Sequence, residues 1–417
     1  MCHDVTCHDA AGLADLVMAR CDELAACSEE SGRITRRFLT APMLEVHDRL
    51  GSWMRQANLQ TRADDAGNLI GRRIAETAIR TLIVGSHLDT VPGGGRFDGV
   101  LGVLIGVAVA ETLGDKRLPF HLDVVGFSEE EGVRYSMPYL GSSAVAGLFQ
   151  QEWLERADSN GTSMREAISA FHLDADSIAE AAYSPDEVIG FVEPHLEQGP
   201  VLERAGLPLG VVSGIAGQSR LRLRFQGKAA HAGTTPMLSR CDALAMAAEF
   251  VCEVRSLGRQ TTGLRATVGR MDVTPNATNV IAGRVELSLD VRHLNNLQRE
   301  RAIDNLLAAG KRIANRENGT LVVIEQTSQH AMEVDAALSE LLAKSIGQCG
   351  YETLQMQSGA GHDAVVMAQR FPVAMLFLRH PGGVSHHPDE HVERDDVAAA
   401  IEVMSQFVVG LAQQCGA

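Results

Sequence analysis

The sequence predicts an α/β protein: a mixed-sheet catalytic domain interrupted by an inserted α+β sandwich. Three observations carry this. Two apolar runs, 81–85 (TLIVG) and 121–127 (HLDVVGF), flank a glycine-rich loop and the helical run 100–113, which makes a strand–loop–helix–strand unit. Around 211–217 (VVSGIAG) the texture changes, and 220–225 (RLRLRF) alternates basic with apolar residues, as a strand with one wet face does. After about residue 327 the helix–strand–helix texture returns.

Taken in order, residues 11–72 read as helices leading into a first strand, because Leu39, Met43, Val46, Leu50 and Trp53 recur at helical spacing. The apolar run 100–110 contains Gly102 and Gly106 and is well short of the roughly 20 residues a membrane helix needs, so it predicts a buried helix. In the inserted segment, 236–257 and 298–315 have helical patterns, and 266–273, 285–291 and 320–325 read as strands. With 220–225 this is a β–α–β–β–α–β order. The division is then 1–212 for the first part of the catalytic domain, 213–326 for the insert and 327–417 for the second part, which closes with a helix at 395–413. There is no internal repeat and no low-complexity tract.

A chain of 417 residues with 45% apolar and 22% charged residues has material for a large core and more than one domain. Its net charge of -16 argues against nucleic acid or an anionic membrane as the main partner. The N-terminal stretch MCHDVTCHDAAG lacks a basic region followed by an apolar run, so no secretory signal is expected. The cysteines (Cys2, Cys7, Cys21, Cys27, Cys241, Cys252, Cys349 and Cys415) form no C-x-x-C pair, which predicts free thiols in a cytoplasmic protein. Cys2 and Cys7, beside His3 and His8, are read as part of a flexible terminus.

The chemistry lies in five scattered side chains: His87 in GSHLDTVPGGGRFDG, Asp98 in the same stretch, Glu131 in FSEEEG, His195 in EPHLEQG and His386 in GGVSHHPDE. Three imidazoles and two carboxylates suit two metal ions that share one carboxylate. All five fall in the segments flanking the insert. His87 and Asp89, two apart on a strand end, share a face, so Asp89 can orient the His87 ring. Asp98 sits between a run of glycines and Gly99, where backbone can approach closely. Glu129, Glu130 and Glu131 repel one another unless cations neutralise them, and one can then ligate while a neighbour takes a proton from water. Spacing does not say which two act. Nor does it separate His386 from His387, and His362 and His380 are further imidazole candidates. Within the insert, His231 (GKAAHAGTTPM) can donate to a developing oxyanion. Arg292 (DVRH) and Asn279 (NATNVI) can clamp an anionic, amide-bearing substrate.

The stretches GSHLDTV, FDGVLGV, FSEEEGVRY, HLEQGPVLE, HAGTTPM, NATNVIAG, SGAGHDA and GVSHHPDEH run from about 85 to 391. Together they resemble the M20 metallopeptidase superfamily, and within it the hydantoinase/carbamoylase amidase branch. The resemblance implies two divalent metal ions per subunit, zinc or manganese, with cobalt also suited. One is held by His87, Asp98 and His195, the other by Asp98, Glu131 and His386. The two acids before Gly132 become general base (Glu130) and ligand (Glu131), leaving Glu129 as an outer or solvated acid. Gln198, Gln218, His231, Asn279, Arg292 and Gly361 match positions that bind substrate or polarise its carbonyl. The insert is implied to be a lid and a homodimerisation surface, with His231 reaching the other subunit's site. A cis peptide bond is implied after Asp98. The implied activity is hydrolysis of the ureido C–N bond of a small carboxylated acyclic molecule. Allantoate is the first candidate, giving ureidoglycine, ammonia and carbon dioxide, and an N-carbamoyl-L-amino acid is the alternative. An inert binding protein is more remote, because Glu130 and all five ligand positions are intact, and so is a peptidase, because HLEQGPVLE, GQSRLRL and HAGTTPM resemble the amidase branch.

Overall fold

A computed structural model describes residues 7–76 and 80–416; Cys2, His3 and the side chains of Cys7 and His8 lie outside what is described. The chain forms two compact units, one up to Ser213 and from Glu333 onward, the other Gly214–Met332. The sequence places these junctions after 212 and 326; the strand expected at 320–325 in fact continues to Gln329.

In chain order the first unit contains α1 (Cys7–Ala25), α2 (Ala41–Gln56), β1 (Gln60–Ala63), β2 (Leu69–Arg73), β3 (Thr81–His87), α3 (Val100–Leu113), β4 (His121–Phe127), α4 (Leu140–Val145), α5 (Met164–Ala170), β5 (Val188–Leu196), α6 (Val201–Ala205) and β6 (Leu209–Ile215). The second unit follows with β7 (Gly217–Gln226), β8 (Ala230–His231), α7 (Ala243–Gln260), β9 (Arg265–Thr267), β10 (Met271–Thr274), β11 (Val280–Ile281), β12 (Arg284–His293), α8 (Asn296–Arg316) and β13 (Thr320–Gln329). The chain then returns through β14 (Met332–Glu333), α9 (Ala336–Gln348), β15 (Gln355–Ser358), α10 (Ala364–Met367), β16 (Val373–Leu378) and α11 (Arg394–Cys415).

The large sheet runs β1-β2-β4-β3-β5-β16-β6-β14, with β15 paired to β6. Its centre is parallel: β4 with β3, β3 with β5, and β5 with β16. The β3, β5 and β16 strands are buried along their whole length, as strands covered on both faces must be, and so they read as continuous rather than alternating runs. The β1–β2 hairpin that precedes β3 was not legible, because QTRA and LIGRR are short and do not alternate. Its turn is held by Asp64, whose Oδ1 accepts the N–H groups of Ala66 and Asn68. β5 was missed for a different reason: Pro194 argues against a central strand when read alone.

α3 is buried on nearly every side. It lies so close to the sheet that a Cβ on Gly102 would stand 2.1 Å from the Pro194 carbonyl oxygen on β5. Backbone cannot yield there as a side-chain tip can. Gly102→Ala is therefore expected to destabilise the protein by about 1–3 kcal/mol or more, by overpacking. A lowered urea midpoint at unchanged m value would confirm it, and an unchanged midpoint would contradict the packing described.

The second unit is an antiparallel sheet of order β10-β12-β7-β13, with β9 also on β12. Leu221, Leu223 and Phe225 of β7 are buried against α7 and α8 residues such as Phe250 and Leu306, while Arg220 and Arg222 are exposed, so the alternation read from RLRLRF holds. Two details differ from expectation. The helix expected at 236–257 begins only at Ala243, because Asp242 caps it through the N–H groups of Leu244 and Ala245. The strand expected at 266–273 is split into β9 and β10. β8 and β11 form a separate two-stranded ribbon. No helix among the described residues is long and apolar enough to cross a membrane.

Candidate metal centre

The parallel centre of the sheet collects the candidate ligands at the C-terminal ends of its strands, where open α/β sheets place their sites. His87 is the last residue of β3, the three glutamates follow β4 after Ser128, and His195 is the penultimate residue of β5. Asp98 lies in the loop before α3. The cis bond expected after it is absent: among the described residues the cis peptide is Thr274–Pro275. The tight turn comes from Gly99 instead, which takes φ 68, a left-handed conformation open to glycine. It also admits the His87 ring, which a Cβ on Gly99 would meet at 2.5 Å.

Among the described residues, four groups of metal-type side chains have ligand atoms mutually within 4.8 Å: His87–Asp98–His195, Asp98–Glu131–His386, His87–Glu130–Glu131 and Glu193–His195–His362. The first two share Asp98, and its two oxygens face different ways. Oδ1 is 3.3 Å from His195 Nε2 and 3.9 Å from His87 Nε2, whereas Oδ2 is 3.2 Å from His386 Nε2. Glu131 Oε1 is 3.5 Å from the same His386 nitrogen. His386, not His387, joins the cluster; His387 Nδ1 instead accepts the Asp389 N–H. His362 lies behind His195, 4.4 Å between ring centroids, with its Nε2 3.0 Å from Ser358 Oγ.

The imidazoles are oriented from outside. Nδ1 of His87 is 3.0 Å from the Asp89 carbonyl oxygen, and Nδ1 of His195 is 3.0 Å from the Leu196 carbonyl oxygen. A carbonyl only accepts, so each Nδ1 carries a proton and each Nε2 is the nitrogen left to offer its lone pair to a cation. His195 Nε2 is buried with no hydrogen-bond partner, which fits a waiting ligand atom. Asp89 faces His87 Nδ1 with both its backbone carbonyl (3.0 Å) and its carboxylate Oδ1 (3.4 Å). The carboxylate also holds the acid pair, Oδ1 accepting the Glu130 N–H (2.9 Å) and Oδ2 the Glu131 N–H (3.0 Å). Glu129 is neither solvated nor beside the ligands. It is fully buried and accepts the N–H groups of Phe38 and Arg134, tying the post-β4 loop to the α2 entry.

Burial pushes the Glu130 carboxyl well above the usual carboxylate range, with Glu131 and Asp363 adding repulsion. Burial likewise lifts Glu131 to about 7, with Asp98 and Asp89 contributing. At Asp98 burial acts in the same direction, but the hydrogen bond with His386 and the His195 and His87 rings outweigh it and hold the carboxyl well below its normal value. Burial lowers His195 to about 4, while the hydrogen bond to Asp98 raises His386 to about 9. So many carboxylates buried together call for positive charge, and the oxygen and nitrogen donor set fits zinc, manganese or cobalt.

The remaining candidates divide. Gln198 joins the cluster, its Nε2 donating to Asp98 Oδ1 (3.0 Å) and to Ser385 Oγ (2.9 Å). At Gly361 a Cβ would collide with the Tyr139 hydroxyl, 2.0 Å away. Tyr139 and Asp290 were not foreseen. In the second unit, Gln218 and Arg292 are register partners on β7 and β12 and converge on Asp290. Gln218 Nε2 donates to its Oδ2 (2.6 Å), and Arg292 Nε and Nη2 bond its Oδ1 and Oδ2 (2.8 and 3.1 Å). His231 is exposed on β8, opposite Val280 of β11. Its Nδ1 accepts the N–H groups of Gly233 and Thr234, so its outward Nε2 carries the proton. Asn279, also exposed, accepts the Ala232 N–H through its backbone oxygen.

Residues 83–409 match Peptidase family M20/M25/M40. Among characterised relatives, the N-carbamoyl-L-amino acid amidohydrolase of Geobacillus stearothermophilus is 39% identical, covering 92% of this chain and 95% of that one. Allantoate deiminase 2 of Glycine max is 35% identical, covering 96% and 90%. A solved structure of an amidase of the hydantoinase/carbamoylase family from Burkholderia multivorans superposes with a TM-score of 0.89 at 30% identity, covering 96% and 98%. This likeness along almost the whole chain leads to one conclusion: the chain belongs to peptidase family M20/M25/M40, in its hydantoinase/carbamoylase amidase branch, and is a metal-dependent amidohydrolase.

Proposed function

We propose that this enzyme holds two divalent cations and hydrolyses the ureido C–N bond of a small carboxylated acyclic substrate, with allantoate as its substrate. The observation that carries this reading is the division of Asp98, with Oδ1 toward His195 and His87 and Oδ2 toward His386, whose Nε2 also faces Glu131. His87, Asp98 and His195 would hold one cation, and Asp98, Glu131 and His386 the other. Bound there, the cations would acidify water and polarise the substrate carbonyl.

The side chains then divide the work. Glu130 takes the proton of the attacking water and returns it to the leaving nitrogen, a role its burial suits by raising its basicity. Arg292, steadied by Asp290, pairs with the substrate carboxylate, and Gln218, Gln198, Asn279 and Gly361 border the ureido arms. His231 donates its Nε2–H to the oxyanion. With R–NH–CO–NH2 and one water as reactants, the products are R–NH2, ammonia and carbon dioxide. The second unit is the proposed homodimerisation surface, from which His231 serves the other subunit.

The polar character of Gln218 and Asn279 supports allantoate, whose second ureido arm needs hydrogen bonds; Arg292 serves the carboxylate that both candidates carry. The 39% identity to a carbamoylase supports an N-carbamoyl-L-amino acid as the second reading. The two are separated by ammonia release from manganese-loaded enzyme. A kcat/KM for allantoate at least tenfold above that for any N-carbamoyl-L-amino acid is the expected result, and the reverse order would move the assignment to the carbamoylase reading.

A further inference from the structure

Glu390 belongs to the stretch GVSHHPDEH, yet no role has been given to it. It is 3% exposed, and its Oε1 accepts two consecutive backbone N–H groups, those of Phe97 (2.8 Å) and Asp98 (2.9 Å), 293 and 292 positions away. Its own N–H donates to the His387 carbonyl, in the turn that carries His386. The opposing loop makes room for it: a Cβ on Gly95 would stand 2.3 Å from both the Glu390 carboxyl carbon and Oε1.

His386 needs such support. It has φ 58, costly for a residue with a Cβ, and its side chain is 49% exposed, so packing alone does not fix it. We infer that Glu390 is a positioning residue: by gripping the Phe97 and Asp98 amides from the segment that carries His386, it sets the Asp98–His386 spacing on which the second cation position depends. One oxygen that accepts two consecutive buried amides is a strong anchor, because releasing it would leave both N–H groups unpaired. Glu390 touches neither substrate nor cation in this account. It acts through Asp98 and His386, as outer partners of metal ligands do.

This inference rests on the metal reading above, and the experiment separates the two. Zinc affinity and stoichiometry of the metal-free protein are measured by chelator competition, alongside metal-free melting temperature, for wild type, Glu390→Ala, Glu390→Gln and Gly95→Ala. Glu390→Ala and Gly95→Ala should each weaken binding of one of two ions by about 10–100-fold. Glu390→Gln, which keeps the accepting oxygen, should bind close to wild type. Adding Gly95→Ala to Glu390→Ala should cost little more, since both release the same contact. Unchanged zinc affinity in folded Glu390→Ala overturns the proposal, even with a lowered melting temperature, as does a Glu390→Gln loss equal to that of alanine. Should Glu390→Ala not fold, Gly95→Ala alone decides, with wild-type affinity overturning the idea. A wild type that binds no zinc would overturn the metal reading itself, and this inference with it.

Discussion

Asp98→Ala is expected to remove both cations at once. Its Oδ1 faces His195 and His87 while its Oδ2 faces His386, so one side chain serves both sides of the cluster. Metal content should fall from two ions per chain to near none, a loss of affinity well beyond the roughly 10–100-fold that an outer partner is worth. Ureido hydrolysis should drop to background with it. The fold should survive, because Asp98 lies in a loop and the apolar core between α3 and the sheet does not include it. Elemental analysis with a melting curve checks this. Retention of one full ion would show that the two positions do not depend on a common bridge.

Glu130→Gln is expected to give the opposite pattern: both ions retained, KM little changed, kcat lowered about 10²–10⁴-fold. The amide fills the same space and leaves the backbone bond to Asp89 intact, but it has no basic lone pair to take a proton from water. The rise of kcat/KM with pH that reports deprotonation of the base should flatten in the variant. Near-normal kcat with two ions bound would remove Glu130 as base. Loss of an ion would instead exchange the roles given to Glu130 and Glu131. Together the two substitutions separate holding the cations from moving the proton.

Much of this was readable from the chain because the chemistry sits where strands end. The run TLIVG before His87 and HLDVVGF before the glutamates mark parallel strands by continuous burial, and the candidate ligands follow at their C-terminal ends for topological reasons. The alternation in RLRLRF announced a one-sided sheet, and β7 has it. What was not readable depends on partners distant in sequence. Nothing local shows that Glu129 would turn to Phe38 while Glu131 faces His386, since three adjacent acids look alike until the loop is folded. The turn after Asp98 was expected to use a cis bond and uses a left-handed glycine, a choice made by the His87 ring packed over Gly99.

The sequence by itself determined the kinds of donor, the interrupted domain plan and the family, because residue type and strand pattern are properties of short segments. Only the tertiary structure decided which donors meet. The β4-β3-β5-β16 order brings segments near residues 87, 98, 131, 195 and 386 to one sheet edge. There the carbonyls of Asp89 and Leu196 set the histidine tautomers, and Glu390 grips the Asp98 loop. The physical reason is that a hydrogen bond or an ion pair requires a few ångströms of approach, and distances of that kind between distant segments are set by packing, not by spacing along the chain.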